Sequence, residues 1–305
     1  MENHSTNAVP GLRRFLLAEA VLVLCFSNPL WKLVHFAAAS ELYSYILLIP
    51  FISAYLLWLK RSGLPVSTRP ARPLGMVFLF AGVALLAAYW LRLRSILPPV
   101  IDDHLMVTTI CFLLFFYGIA CFFWGSETLR AAAFPLGFLI LLAPAPFTVV
   151  QQLDAFLQWG SAQVAAVFFS ISGTPFLQDG LTFQLSDIKL DIAPQCSGIH
   201  STMVLLITAL VSGHIFLRTP WKRAVLVLLV VPLGLFRNGF RVFVIGQLCI
   251  HWGPQMINSP IHRKGGPIFF VLSLFPLFLA LYLLLKSDRP CPTQLTKMPS
   301  QPCAN

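Results

Sequence analysis

The residues best suited to chemistry lie in the stretch APQCSGIHS, just before a long apolar run that begins near Ile199. Cys196 stands at or near the start of the helix that this run predicts. A thiol there lies close to the positive end of the helix dipole and to free backbone N–H groups, which favour the nucleophilic thiolate. Ser197 can cap the helix, and Gly198 permits close approach of backbone or substrate. The pattern predicts a nucleophile, although a lone cysteine at a helix start is more often only a small residue.

Two arginines and an asparagine lie inside a second apolar run, LGLFRNGFRVFVIG. Arg237 and Arg241 are four residues apart, and Asn238 and Arg241 are three apart, so all lie on neighbouring parts of one helical face. A charged side chain in a membrane span costs about 2.5–3.5 kcal/mol on insertion scales. These groups must therefore face the bundle interior or a wet cavity. Snorkelling to the membrane surface accounts for one arginine but less easily for the whole group, which favours a role for Arg241 first and Arg237 second.

Three histidines compete as general acid and base, because an imidazole titrates near neutral pH. His262 lies in a loop four residues before Gly266, where a histidine is often only solvated surface. His200 follows Cys196 by four residues, one helical turn, so the two side chains can meet. His251, at the expected membrane edge, is a weaker rival. The residues alone leave His262 and His200 open.

The elements around these residues indicate a polytopic helical membrane protein. The chain has 305 residues, of which 57% are hydrophobic and 10% charged, and its mean hydropathy is +0.79. A soluble chain carries about 25% charged residues. Apolar runs of about 18 residues or more recur along the sequence, as expected for membrane-spanning helices. The net charge of +10 does not indicate nucleic-acid binding, because the basic residues fall in short loops between apolar runs.

Eight membrane spans are predicted, with an interfacial amphipathic helix and a short extracytoplasmic β-hairpin. The spans cover 14–36, 42–59, 74–91, 105–124, 129–147, 199–217, 224–249 and 267–285. Residues 148–172 carry several glutamines on an apolar helix, which suits a position in the interface or within the bundle. Residues 173–195 show turn signals and then alternation, which predicts the hairpin. The chain is therefore expected to form one membrane domain, 1–290, and a polar cytoplasmic tail, 291–305.

Basic loops set the expected orientation, because lysine and arginine favour the cytoplasmic side. The clusters within 60–72 and 218–223 and the C-terminal tail all fall inside if the N-terminus is inside and residues 148–172 do not cross. The loop 251–266 then faces outward with His262, Arg263 and Lys264. This departure from the rule calls for a functional reason. Asp102 and Asp103 are expected to be ordinary loop charges.

Taken together, three segments resemble the exosortase/archaeosortase family of membrane transpeptidases. They are CSGIHS (Cys196–Ser201), the Asn-x-x-Arg of Asn238–Arg241 and the His-x-x-x-Gly of His262–Gly266. The resemblance covers about residues 193–285. It implies that Cys196 is the nucleophile, Arg241 the stabiliser of a thiolate or oxyanion, and His262 the general acid and base. The residues implied to bind substrate or support the site are Ser197, Gly198, His200, Arg237, Asn238, Arg263 and Gly266.

The same resemblance implies a cysteine transpeptidase of the bacterial inner membrane, with both termini cytoplasmic and the active site outside. Family members recognise C-terminal sorting tails of secreted proteins: a short motif, often Pro-Glu-Pro, then one transmembrane helix and a basic cluster. The expected reaction cleaves such PEP-CTERM-like tails through a thioester and passes the acyl chain to an unknown acceptor, in association with exopolysaccharide. Expected partners are these tails and membrane lipid, with no cofactor, metal or nucleic acid. A glutamate in the motif would suit a pocket holding Arg237, Arg241 and Arg263.

Two features depart from the usual pattern, and three other classes compete. Arg237 directly precedes the asparagine, and His200 occupies a variable position, so the substrate-facing arginine and the base both stay open. A transporter or channel would use intramembrane arginine and histidine for an anionic substrate, and its function would survive Cys196→Ala. A lipid-phosphate phosphatase needs an aspartate that is missing after His262. A structural scaffold gives no reason to gather polar groups on one side of the membrane.

Overall fold

The computed structural model of the protein describes residues 12–61, 71–96, 101–185, 188–192, 198–253, 255–256 and 266–288. The described chain is mostly helical, as predicted. Its helices are α1 (Leu12–Cys25), α2 (Ser27–Ala39), α3 (Ile49–Lys60), α4 (Arg72–Ala88), α5 (Ile101–Phe123), α6 (Ser126–Ala131), α7 (Ala133–Phe138), α8 (Phe147–Ile171), α9 (Ile199–Phe216), α10 (Pro220–Leu228), α11 (Val230–Trp252) and α12 (Gly266–Asp288). Its strands are β1 (Phe176–Asp179), β2 (Thr182–Leu185) and β3 (Ile188–Asp191). Short 3₁₀ turns, Ser44–Leu48 and Leu139–Leu142, precede α3 and continue α7.

Within the described residues, five helices are long and apolar enough to cross a membrane. They are Arg72–Leu91, Ile101–Phe123, Ile199–Phe216, Pro220–Trp252 and Ile268–Ser287. Two pairs of helices are sharply bent, α1 with α2 and the α7 segment (Ala133–Leu142) with α8. The number of spans rises to 7 if each pair counts as one span. Ser44–Lys60 is a shorter apolar helix. The helical membrane architecture is thus found, whereas the predicted count of eight spans is not confirmed.

The predicted first span, 14–36, is not one straight helix. Its two halves meet at Phe26 with a bend of 73°. Pro29 lies in the first turn of α2, where its missing N–H removes no helical hydrogen bond, although a proline there disfavours continuation of the preceding helix. Hydropathy averaged over a span does not reveal such a break, because most of the residues on either side of Ser27–Pro29 are apolar.

The predicted fifth span, 129–147, is also interrupted, so that no single helix covers it. The α7 segment ends at Leu142, Pro144 and Pro146 lie in non-helical chain, and α8 leaves at 91°. Ala133–Leu142 rises only about 15 Å as a helix, half of a hydrocarbon core of about 30 Å. This segment does not cross a membrane by itself.

The chain packs as two compact units, Met1–Gln151 and Gln152–Asn305. The prediction of one domain from 1 to 290 stays a prediction, and the tail 291–305 lies outside the described residues.

In the first unit, α4 and α5 approach closely through glycines. A Cβ on Gly75 would lie 2.8 Å from Phe122, and one on Gly118 would lie 2.6 Å from Leu79.

Asp102 and Asp103 are structural residues of the first unit, so the expectation of ordinary loop charges is wrong. Both lie in the first turn of α5. The Tyr43 hydroxyl donates to Asp102 at 2.9 Å, and the backbone N–H of Phe147 donates to Asp103 at 2.9 Å. Asp103 is only 6% exposed. Its carboxylate satisfies an N–H at the positive N-terminus of α8, where a negative charge is favourable.

In the second unit, α8 runs alongside α11 in the same direction. The residue numbers of the contacting pairs increase along both helices. The pairs are Gly160 with Leu235, Gly239 with Ser161 and Val164, and Gly246 with Phe169. A Cβ on each of these glycines would lie 2.7, 2.6 and 2.5 Å from the facing residue. Of the two positions that the sequence allowed for residues 148–172, the contacts therefore favour packing within the bundle over a purely interfacial helix.

The predicted hairpin is present as part of a three-stranded antiparallel sheet in the order β1-β2-β3. Gly180, at φ +60°, lies in the two-residue turn between Asp179 and Thr182. Phe183, Leu185 and Leu190 are buried in one core with Phe169 of α8 and Ile245 of α11. The alternation continues past β2, which is why a third strand follows. This strand leads towards the cysteine segment.

A second core joins the last four helices. Its buried members are Leu205, Ala209, Leu217, Leu226, Val230, Leu277 and Leu281. Arg223 closes one end by donating from Nε and Nη2 to the carbonyl of Leu217, at 2.9 and 2.7 Å. This contact satisfies a carbonyl at the C-terminus of α9, where a cation is also favoured by the helix dipole.

Candidate active site

The first helix of the site, α9, begins at Ile199 as the predicted span does, which is one residue later than a helix capped by Ser197 would begin. Gly198 is its N-cap, at φ 72° and ψ 16°, with no side-chain cap hydrogen bond. The prediction that Ser197 caps this helix is therefore wrong. Since the helix starts at Ile199, the four-residue spacing between Cys196 and His200 is not a spacing within one helix either. Cys196 and Ser197 themselves lie outside the described residues.

Arg237 reaches from α11 to this N-terminus. Its Nη2 donates to the Gly198 carbonyl at 3.0 Å and lies 3.5 Å from the Thr202 hydroxyl. The side chain is only 6% exposed. About 25 Å of helix separates it from Pro220 and about 22 Å from Trp252, so it lies near the middle of this apolar segment. Snorkelling does not explain Arg237, because its guanidinium is used inside the bundle.

The contact between Arg237 and Gly198 requires a glycine. A Cβ on Gly198 would lie 2.6 Å from Nη2 of Arg237 and 3.2 Å from Oδ1 of Asn238. The positive φ also disfavours any other residue at this position. The same carbonyl accepts the backbone N–H of Thr202 at 3.0 Å and its hydroxyl at 2.9 Å. Several donors therefore converge on one backbone oxygen two residues after Cys196.

Asn238 binds the third helix of the site. It is 1% exposed, and its Nδ2 donates to the Ser161 hydroxyl of α8 at 3.0 Å. Asn238 lies beside Gly239, the residue that lets α8 approach α11 most closely in this region. The asparagine thus joins α8 to α11 directly behind the Gly198 turn, which is a supporting position.

Arg241 differs from Arg237 in its surroundings. It lies one turn further along α11 and is half-buried. About 16 Å of helix separates it from the end of α11 at Trp252. Its positive charge is close enough to Arg237 for the two to repel each other. The expectation that Arg237, Asn238 and Arg241 lie on one inward side of the helix agrees with these positions.

The candidate histidines differ in their surroundings. His200 lies in the first turn of α9, and its buried Nδ1 has no hydrogen-bond partner among the described residues. His251 is exposed, and its Nδ1 lies 2.9 Å from the carbonyl of Gln247 in its own helix. His262 and Arg263 lie outside the described residues, whereas Gly266 is the first residue of α12. The choice between His262 and His200 as base is therefore still a prediction.

The described part of the site brings together Gly198, Arg237 and Asn238, all predicted, with Thr202 and Ser161, which were not. The glutamines are the prominent polar residues of 151–163. The signal of helix contact there is the small pair Gly160–Ser161, which the sequence interpretation did not use. Within the part of the chain that the structure describes, no three His, Cys, Asp or Glu side chains gather as a metal site.

One comparison with known proteins shows the family of the chain. The sequence model of the transmembrane exosortase family (Exosortase_EpsH) matches residues 31–279, which is most of the chain. The chain belongs to the transmembrane exosortase family. No curated protein and no solved structure matches it.

The extent of the match adds to what the motifs alone indicated. The sequence resemblance was confined to about residues 193–285, whereas the family match begins at residue 31, within α2. The match therefore also covers the helices of the first unit from within α2 onward. Family membership together with the long apolar helices makes it an integral membrane protein.

Proposed function

We propose that this exosortase is a membrane-embedded cysteine transpeptidase. It cleaves C-terminal sorting tails of secreted proteins and transfers them to an acceptor. The observation that carries the proposal is the 3.0 Å hydrogen bond from Nη2 of Arg237 to the carbonyl of Gly198, which follows Cys196 by two residues. Arg241 lies one turn further along α11 from Arg237. In an exosortase chain, a cysteine two residues along the chain from a carbonyl held by a guanidinium is suited to carry a thiolate nucleophile.

The first step is attack by the Cys196 thiolate on the scissile carbonyl carbon. A C–S bond forms, and the carbonyl oxygen becomes an oxyanion. Arg241 stabilises this oxyanion, an effect of about 3–4 kcal/mol per donor in comparable sites. The half-buried position of Arg241 is consistent with this role, because its positive charge lies in a medium of low dielectric constant.

Collapse of the intermediate breaks the peptide C–N bond and leaves a thioester. His262, as imidazolium, gives a proton to the leaving amine, and the neutral imidazole then takes one from the acceptor nucleophile. Attack by the acceptor breaks the C–S bond, forms the new acyl bond and releases the Cys196 thiolate, with the acceptor's proton now on His262. Exclusion of bulk water at the membrane favours transfer over hydrolysis.

The proposed substrates carry a short motif, one transmembrane helix and a basic cluster. With both termini in the cytoplasm, the site faces the extracytoplasmic side, where the motif of a secreted protein emerges. A glutamate in the motif suits Arg241 and Arg263. Arg237, whose Nη2 is engaged with Gly198, is a weaker partner for it than the sequence indicated.

The test is processing of a secreted reporter that ends in such a tail, taken from a protein encoded in the same genome. Co-expression with the wild-type chain should remove the tail, seen as a smaller product on immunoblots. Cys196→Ala and Cys196→Ser should abolish processing and leave membrane insertion intact. Cys25→Ala is the matched control, since Cys25 is exposed on α1.

Two further variants test the assigned roles. Arg241→Lys should be severe, because a point charge does not reproduce the guanidinium fork. His200→Ala should be mild, and complete loss would move the base from His262 to His200. A hydroxylamine-sensitive adduct between reporter and Cys196 should accumulate when the acceptor is limiting. Processing that survives Cys196→Ala would remove the cysteine mechanism and favour the transporter alternative.

A further inference from the structure

The two arginines of α11 have different surroundings, although they lie one helical turn apart. Arg237 is 6% exposed and donates to a backbone carbonyl, whereas Arg241 is half-buried. Nη1 of Arg237 is buried and has no hydrogen-bond partner among the described residues. A buried guanidinium that donates to a backbone carbonyl is held in the fold and is poorly placed to follow a substrate.

The carbonyl that Arg237 contacts belongs to the residue that sets the chain direction into α9. Gly198 has a left-handed conformation, and residues 199 onward are helical. Asn238 packs against the same glycine, because a Cβ there would lie 3.2 Å from its Oδ1. Asn238 is in turn held by Ser161. The turn is therefore enclosed by two consecutive side chains of α11.

We propose that Arg237 is a positioning residue for the Cys196 nucleophile. It fixes the Gly198 turn, and through two peptide bonds the cysteine, while Arg241 keeps the role of stabilising the oxyanion that the proposed function gives it. This inference rests on the proposed function. It also resolves the question left by the sequence, in which either arginine could have faced the substrate.

The physical reason is the sensitivity of nucleophilic attack to geometry. A misplacement of about 1 Å at the reacting atoms can lower a rate about 10²-fold. The Gly198 carbonyl is the nearest described backbone group on the α9 side of Cys196, and Nη2 of Arg237 is its one contact from another helix among the described residues. Loss of that contact lets the turn move relative to Arg241 without removing any catalytic group.

The experiment compares Arg237→Met with Arg237→Lys, using the full chain in membranes and the reporter tail as substrate. Arg237→Met should lower kcat about 10²-fold per folded molecule and leave KM within about threefold of wild type. Arg237→Lys should recover at least about tenfold of that loss, because one N–H donor can still reach a single carbonyl. At Arg241, where the fork itself is needed, lysine should recover nothing. Arg218→Met, an exposed arginine beyond α9, is the control and should behave as wild type.

A second pair of variants tests the contact from its other side. Gly198→Ala pushes against the guanidinium, so it should lower kcat, and Gly198→Ala with Arg237→Met should be no worse than the poorer single variant. If Gly198→Ala does not fold, Thr202→Val, which removes another donor to the same carbonyl, takes its place in the cycle. Independent, multiplicative losses would overturn the inference.

Two other results would also overturn it. One is an unchanged kcat per folded molecule for Arg237→Met, which would leave Arg237 with a role in folding only. The other is equal loss for methionine and lysine, which would place Arg237 in direct contact with the reacting group. Both results leave Cys196→Ala inactive, so they are distinct from failure of the proposed function, in which Cys196→Ala retains processing.

Discussion

Replacing Gly239 with alanine tests whether the close approach of α8 and α11 supports the active site. A Cβ at this position would lie 2.6 Å from Cβ of Val164 and 2.9 Å from the carbonyl oxygen of Ser161. Neither atom is the end of a flexible side chain. Since ordinary carbon contacts are about 3.5–4.0 Å, α8 must retreat by about 1 Å.

The expected cost follows from three terms. Overpacking of this kind costs about 1–3 kcal/mol, and the gain in helix propensity from glycine to alanine returns about 1 kcal/mol. The retreat also stretches the 3.0 Å hydrogen bond from Asn238 to Ser161 beyond useful length. Leaving that buried pair unsatisfied costs about 1–3 kcal/mol. The net loss is about 3 kcal/mol.

The assay is thermal unfolding of the detergent-solubilised chain, together with reporter processing. We expect Gly239→Ala to unfold several degrees below wild type and to process more slowly, because Asn238 also packs against the Gly198 turn. Gly137→Ala is the matched control: no atom lies within 4 Å of its Cβ position, so it should be neutral or stabilising. If Gly239→Ala matches the control in both stability and processing, the helix contact does not have the tightness described.

Two further predictions concern stability away from the site. Arg223→Ala should lower the unfolding temperature by an amount equivalent to about 1–3 kcal/mol, because it removes both hydrogen bonds to the carbonyl that ends α9; an equal loss for Arg218→Ala would contradict this assignment. Asp103→Leu should destabilise the chain by about 1–3 kcal/mol, since the N–H of Phe147 loses its buried acceptor, whereas Asp103→Asn keeps an oxygen there and should be mild. Equal thermal unfolding of the leucine and asparagine variants would show that this acceptor does not matter.

Sequence reasoning located the long helices well where one apolar run makes one helix. The predicted spans 199–217 and 267–285 agree closely with Ile199–Phe216 and Ile268–Ser287. It failed where a break lies inside a span that hydropathy averages as continuous, as at Phe26 and before Pro146. Hydropathy measures the preference for lipid and carries little information on direction. The 91° bend before α8 depends on local backbone geometry that a sliding average does not contain.

In the candidate site, too, some features could be predicted from the sequence and others could not. A charged or amide group in an apolar run must be placed away from lipid, so the inward positions of Arg237 and Asn238 were predictable. The partner of Arg237 was not. It is a backbone carbonyl, which every residue possesses, and it lies 3.0 Å from Nη2 at a glycine whose positive φ the sequence does not reveal. Ser161 was missed for a similar reason, because a small hydroxyl residue has no distinctive pattern in sequence.

The choice of a neutral partner for Arg237 has an electrostatic consequence for the proposed reaction. Within the described chain, its guanidinium meets only neutral acceptors, Gly198 and Thr202. A carboxylate in their place would hold the arginine more firmly, but at about 4 Å and an effective dielectric constant of about 20 it would repel a nearby thiolate or oxyanion by about 4 kcal/mol. A carbonyl fixes the guanidinium without cancelling its charge. The positive field of both arginines therefore persists where the cysteine segment enters α9, which is the condition that a thiolate nucleophile in a low-dielectric bundle requires.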